Sequence, residues 1–131
     1  MTLLKGKTMQ TPWGQTQHIT KIAEGISSVS TASHGGIKLD AKRNAAMPEY
    51  MRKTGGWYEE DCDWALPFVV FERDILAFGE TWAVRAITEG AHHKSTMLNW
   101  HPVAYEKFFD VCIVPGASFI REHPLPAQAT G

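Results

Sequence analysis

Between Gln15 and Leu39 the chain offers no helical face of any width. Ile19, Ile22, Ile26, Val29 and Thr31 are β-branched, and such side chains lose rotamer freedom on a helix but pack well on a pleated surface. The stretch therefore predicts two or three short strands, turning at Gly25 and again at His34-Gly35-Gly36 before Ile37-Lys38-Leu39. The glycines are expected to supply the positive φ that a hairpin turn requires. Residues 1–14, with Lys5, Gly6, Lys7, Pro12 and Gly14 around few apolar positions, read as an arm or a short edge strand.

Beyond Leu39 the pattern changes to short helices. Asp40 is placed to cap a helix through Ala41–Met47, because its carboxylate can accept from the first free amides. Pro48 permits a second short turn that ends at Gly55-Gly56. Trp57-Tyr58 and the acidic residues after them are expected to open a helix that continues through Cys62–Leu66, their charges complementing its dipole, with Pro67 either kinking it or starting it afresh. Trp82, Ala83, Ala86 and Ile87 form a helical face that stops at Gly90. His92–Thr96 reads as a connection. Pro102 suits the first turn of a helix whose face is Tyr105, Phe108 and Phe109, helped by Val103 and Ala104. Val111–Val114 reads as a strand, turned at Pro115-Gly116 into a second strand at Ala117–Ile120. The expected fold class is α+β: a small antiparallel sheet, made of the N-terminal strands and a C-terminal strand pair, packed against three to four short helices.

A chain of 131 residues suits one domain with a single core, here residues 1–123, followed by a frayed tail over residues 124–131. Lys and Arg number 13 against 14 Asp and Glu. That balance removes the general basic character that duplex binding requires, so direct nucleic-acid binding is not expected. Cys62 and Cys112 are the only cysteines, too few for a disulfide framework, and they read as reduced thiols. The longest apolar run, Ala65–Phe71, is far shorter than a membrane span, and the N-terminus lacks the apolar run of a signal peptide. The expected setting is the cytosol, as a monomer or homodimer.

Three clusters carry possible chemistry. Ser30–Gly36 crowds hydroxyls, the His34 imidazole and two glycines at a strand end. It is either a turn whose hydroxyls satisfy local backbone groups or a site where His34 moves a proton. Glu59, Glu60, Asp61 and Asp63 put four carboxylates into five residues around Cys62. They are either a solvated charged turn or the source of an acid, a base or a nucleophile. An enzyme built on these residues would use His34, Glu59, Glu60 and Cys62. His92, His93 and His101 match no standard zinc-ligand spacing, so no metal and no cofactor is expected. Lys42, Arg43, Arg52 and Lys53 precede the acidic run and, with Glu59, Glu60 and Asp61, give a charge dipole suited to a protein partner. Trp13, Trp57, Tyr58, Trp64, Trp82 and Trp100 supply either core area or recognition anchors.

The chain resembles a family of domains of unknown function encoded by phages, plasmids and other mobile elements. The resemblance rests on Trp13-Gly14, Ala23-Glu24-Gly25-Ile26, Val29–Gly36, Trp57–Trp64, Asn99-Trp100-His101-Pro102, Tyr105-Glu106, Phe108-Phe109 and Pro115–Glu122. It implies a small protein working in the bacterial host's cytoplasm on host defence or element maintenance, and it transfers no catalytic residue. Within that setting two functions are expected. One is a non-enzymatic inhibitor of the anti-CRISPR type, which binds a host defence protein complex and blocks nucleic-acid access or assembly. The other is a small hydrolase or transferase in which His34 and the acidic run meet in one pocket. A DNA-associated role for Lys42, Arg43, Arg52 and Lys53 is a third.

Overall fold

A computed structural model of the protein describes residues 9–79 and 81–124. Among these residues six strands run β1 (Gln10–Thr11), β2 (Gly14–Gln15), β3 (His18–Ala23), β4 (Ile26–Ser30), β5 (Gly35–Leu39) and β6 (Trp57–Glu59). The first two form a small hairpin, and the other four form an antiparallel sheet in the order β3-β4-β5-β6. The helices are α1 (Ala41–Ala46), α2 (Ala65–Val70), α3 (Glu72–Phe78), α4 (Trp82–Thr88), α5 (His92–Trp100), α6 (Pro102–Phe109) and α7 (Phe119–Glu122), with single 3-10 turns at Glu49–Met51 and Thr54–Gly56. The α+β class is as expected from sequence. No helix among the described residues is long and apolar enough to cross a membrane.

The β-branched stretch forms β3, β4 and part of β5. Glu24-Gly25 makes the first turn, with Gly25 at φ +78°, and the next turn spans residues 31–34. Ile26 faces Leu39, and Ile37 faces both Ser28 and Tyr58 across the ladders, so these side chains share one face. That face carries the core: Ile22, Ala23, Ile26, Ile37, Leu39 and Tyr58 pack with Leu66, Phe68, Ile75 and Met97 of the helices. The opposite face bears Gly36 and Trp57 and is covered by the β1–β2 hairpin, whose Trp13 meets Trp57 edge to face at 5.7 Å. Gly35 and Gly36 lie in extended β5 rather than at positive φ. Their smallness serves close approach instead: a Cβ at Gly36 would collide with the Tyr58 carbonyl and the Trp13 ring.

The crossover from β5 to β6 is held by polar contacts. Asp40 caps α1 by accepting from the Arg43 amide at 2.8 Å. Arg52 donates to the carbonyls of Asn44, Ala45 and Met47 at the end of α1, where Asn44 O also accepts from the Met47 amide, so the carbonyls of this helix end are satisfied. The fully buried Tyr58 donates its hydroxyl to Asn44 Oδ1 at 2.6 Å and accepts from the Lys53 amide at 3.0 Å.

Three expectations need correction. The C-terminal strand pair does not form: residues 111–118 are irregular, and residues 119–122 are α7. Val111–Val114 has strand composition but no partner strand among the described residues, and the Ile113 amide donates to Glu106 Oε2 at 2.8 Å. Arg121 closes this loop by a two-pronged bond to Glu106, both at 2.9 Å. That pairing and the Ile113 amide hold the Glu106 carboxyl down to about 2. His92–Trp100 is a helix, not a connection, and the helices number seven among the described residues rather than three to four. Trp57–Glu59 is a strand, and the acidic run lies in the turn before α2 rather than in a helix's first turn. Pro102 does start α6 as expected. The tail over residues 125–131 and most of the N-terminal arm lie outside the described residues.

Tyr58→Phe should lower the unfolding free energy by about 1–3 kcal/mol, since the Lys53 amide and Asn44 Oδ1 lose a shared partner in the interior. Denaturant unfolding at constant m-value measures it.

Candidate functional site

The acidic run leaves β6 as a tight turn that points its carboxylates in different directions. The Glu60 amide donates to Gly35 O at 3.0 Å, and Trp64 N donates to Glu59 O at 3.0 Å. Glu59 turns back on the loop, its Oε1 accepting from the amides of Asp61 and Cys62 at 3.1 and 3.4 Å. Burial pushes its carboxyl up, with the two amides opposing. Asp61 is exposed. Glu60 and Asp63 then serve two separate sites.

On one side Glu60 Oε2 lies 4.0 Å from His34 Nδ1, with both side chains more than half exposed. Glu60 also borders a cavity of about 250 Å³ between the sheet and the helices, lined by Ser28, Ser30, Ile37, Trp64 and Trp82. Phe68 links the two tryptophans, 4.9 Å from Trp64 and 5.6 Å from Trp82. His34 itself closes a hydroxyl turn: Thr31 Oγ1 accepts from the His34 amide at 3.0 Å and donates to the His34 carbonyl at 2.7 Å. The hydroxyls thus satisfy local backbone, as the turn reading of Ser30–Gly36 expects, while the imidazole is left facing Glu60.

On the other side Asp63 meets His101, which stands at the junction of α5 and α6. His101 Nε2 is 3.1 Å from Asp63 Oδ1. The pair stands at contact distance without the full geometry of a hydrogen bond, and among the described residues the buried Nε2 has no other partner. Lys53 Nζ stands 3.9 Å from Asp63 Oδ2. The His101 imidazole and, after it, the Lys53 ammonium hold the Asp63 carboxyl below its usual range against the effect of burial. Cys62, Asp63 and His101 present ligand-type atoms within 4.8 Å of one another. Burial first, then the carboxylates of Asp63, Glu59 and Asp61, push the Cys62 thiol up, which leaves it a poor nucleophile at neutral pH.

Of the residues named from sequence, His34 and Glu60 are brought together, whereas Cys62 is joined to Asp63 and His101. His92 is exposed, and His93 is buried with Nε2 2.5 Å from Glu72 Oε1, so the three histidines go to three places. The basic segment is largely engaged by the scaffold. Arg43 Nη1 bonds Asp74 at 2.5 Å, and its guanidinium lies 4.8 Å over the Phe71 ring. Arg52 caps α1, Lys53 faces Asp63, and Lys42 remains exposed. Trp57 and Tyr58 are structural, while Trp82 and Trp100 are 47% and 42% exposed. Sequence reasoning missed Asp63 as the partner of His101, and it missed Phe119, which is 46% exposed and lies 5.2 Å from Trp100. His123 stacks on Phe119 at 4.4 Å. The only signals were a helix-start carboxylate and a lone aromatic in a presumed strand.

The chain belongs to the family described as domain of unknown function DUF7007, whose profile matches residues 6–130. No curated protein and no solved structure shows a significant match to it.

Asp63 has a folded-state pKa below its unfolded value, so its contribution to stability is complete above the ordinary carboxylate pKa. It is lost as pH falls through the depressed value. Asp63→Asn should therefore reduce stability by about 1 kcal/mol at neutral pH and flatten the acid limb of the stability profile below about pH 4. Urea unfolding across pH 2–7 checks both, and an unchanged acid limb would remove the ion pair from the account.

Proposed function

We propose that this chain is a binding protein that acts on another protein through the aromatic surface of Trp100, Phe119 and His123. The observation that carries the reading is this stack itself, with large rings left exposed on the helical half while the rest of the core closes. Aromatic side chains supply rigid contact area at small entropic cost and dominate protein interfaces. In the mobile-element setting suggested by the sequence resemblance, the partner is a host defence complex, whose assembly or nucleic-acid access the bound protein blocks. The engagement of Arg43, Arg52 and Lys53 by the scaffold favours a protein over a nucleic acid as the partner.

A second reading is favoured by one observation, the His34–Glu60 pair beside the tryptophan-walled cavity. There His34 would move a proton for a small substrate held between Trp64 and Trp82, as a hydrolase or transferase requires.

Tagged protein purified from a bacterium carrying CRISPR–Cas and restriction systems should retain a defence component. The Trp100→Ala, Phe119→Ala double variant should weaken that association roughly thirtyfold, the equivalent of about 2 kcal/mol. A His34→Ala, Glu60→Ala variant should leave it unchanged. Equal retention by the aromatic variant overturns the docking surface. Retention of no defence component by correctly folded wild type favours the enzymatic reading.

A further inference from the structure

The meeting of Cys62, Asp63 and His101 goes beyond either reading. Cys62 and Asp63 are neighbours on the turn between β6 and α2, and His101, between α5 and α6, comes to them from a segment far along the chain. Their ligand-type atoms nevertheless all fall within 4.8 Å of one another. Around a tetrahedral zinc ion a nitrogen and an oxygen ligand stand about 3.3 Å apart, and a sulfur stands about 3.6 Å from the nitrogen. The observed separation of His101 Nε2 and Asp63 Oδ1 is 3.1 Å. The nitrogen and oxygen are therefore already at ligand spacing, and the sulfur is within a side-chain adjustment of it.

A second observation is independent of the cluster's composition. Among the described residues His101 Nε2 is buried and has no hydrogen-bond partner, although a buried polar atom is normally paired. Asp63 Oδ1 stands 3.1 Å from it without completing a well-formed hydrogen bond. A metal ion placed between the two would take the nitrogen lone pair and the carboxylate oxygen together, which a proton in the ring plane does not do here.

The backbone beneath the ligands is fixed before any ion arrives. The Cys62 carbonyl accepts from Ala65 N and the Asp63 carbonyl from Leu66 N at 3.0 Å, while His101 N donates to Met97 O at 2.7 Å and its carbonyl accepts from Tyr105 N at 2.9 Å. Glu59 Oε1 takes the Cys62 amide. The side chains of Asp63 and His101 are 23% and 21% exposed, enough for entry of an ion and shielded enough to strengthen its hold. Lys53 stands on the far carboxylate oxygen, Oδ2, and leaves Oδ1 to face the imidazole.

We infer that Cys62, Asp63 and His101 bind one divalent transition-metal ion of the zinc class, with Cys62 Sγ, Asp63 Oδ1 and His101 Nε2 as ligands. One thiolate, one imidazole and one carboxylate form a donor set that suits zinc over calcium or magnesium, which take oxygen ligands. Three protein ligands leave a fourth position for water or a group from a bound partner. The ion ties the turn after β6 to the α5–α6 junction.

Full-length protein with its affinity tag removed is titrated with zinc by calorimetry and, in parallel, with cobalt(II) followed by absorption. The expected result is one equivalent of zinc bound. With cobalt, a thiolate-to-metal charge-transfer band should appear, which only a coordinated sulfur produces. Cys62→Ser and His101→Gln should each weaken zinc by more than about a hundredfold, beyond the loss typical of removing a supporting hydrogen bond. His92→Ala should change nothing. Cys62→Ser differs from wild type by one atom, so it decides the matter even if His101→Gln unfolds. Zinc bound equally by wild type and Cys62→Ser, no stoichiometric zinc, or a cobalt complex without the sulfur band overturns the site.

Discussion

The structure depends most on the position of Tyr58. Its ring fills the core face of the sheet beside Ile37, and its hydroxyl joins Asn44 of α1 to the Lys53 amide. Asn44 completes the link by donating to the Lys53 carbonyl at 2.9 Å. One phenol thus sets where the crossover ends and where β6 enters the sheet. Since the acidic turn begins at the end of β6, the same contact fixes how Glu60 and Asp63 are presented. A buried hydroxyl with two partners is costly to lose, and this makes it a strong positional constraint.

The turn after β6 then divides charges that lie side by side in sequence. Glu60 goes to His34 and the cavity, Asp63 goes to His101 and Lys53, and Glu59 is spent on the amides of its own loop. On the opposite flank the basic segment is treated in the same way, with Arg52 on helix carbonyls and Arg43 on Asp74 and Phe71. What looks in the sequence like a dipole of two charged blocks is, in three dimensions, a set of local pairings. Little of it is left as a long-range field to steer a partner, which is why the proposed docking surface is drawn at the exposed rings of the helical half.

How much of this was legible varied with the range of the cause. Strands β3 to β5, the Asp40 cap and the Pro102 start of α6 follow from local chemistry, and the sequence reading found them. Helix α5 begins His92-His93-Lys94-Ser95-Thr96, which has no apolar face to announce it, and packing of its buried His93 and Met97 sustains it. Val111–Val114 has strand propensity, but a strand needs a neighbour, and here the amide that would join a ladder is taken by Glu106. The site follows the same rule. His34 and Glu60 were both named from sequence, but His101 was judged only by its spacing to other histidines. Its companions on the turn after β6 are distant in sequence, and spacing rules cannot see such a pairing.

The Glu106–Arg121 bond has a consequence for how this domain can change. It closes residues 110–118 at their base, so the tip, with Val111, Val114, Pro115 and Gly116 exposed, carries little of the load between α6 and α7. For a loop clamped in this way, doubling the length costs only about 0.6 kcal/mol in closure entropy. A few residues inserted at Val111–Val114 would therefore leave the helices on either side in their places.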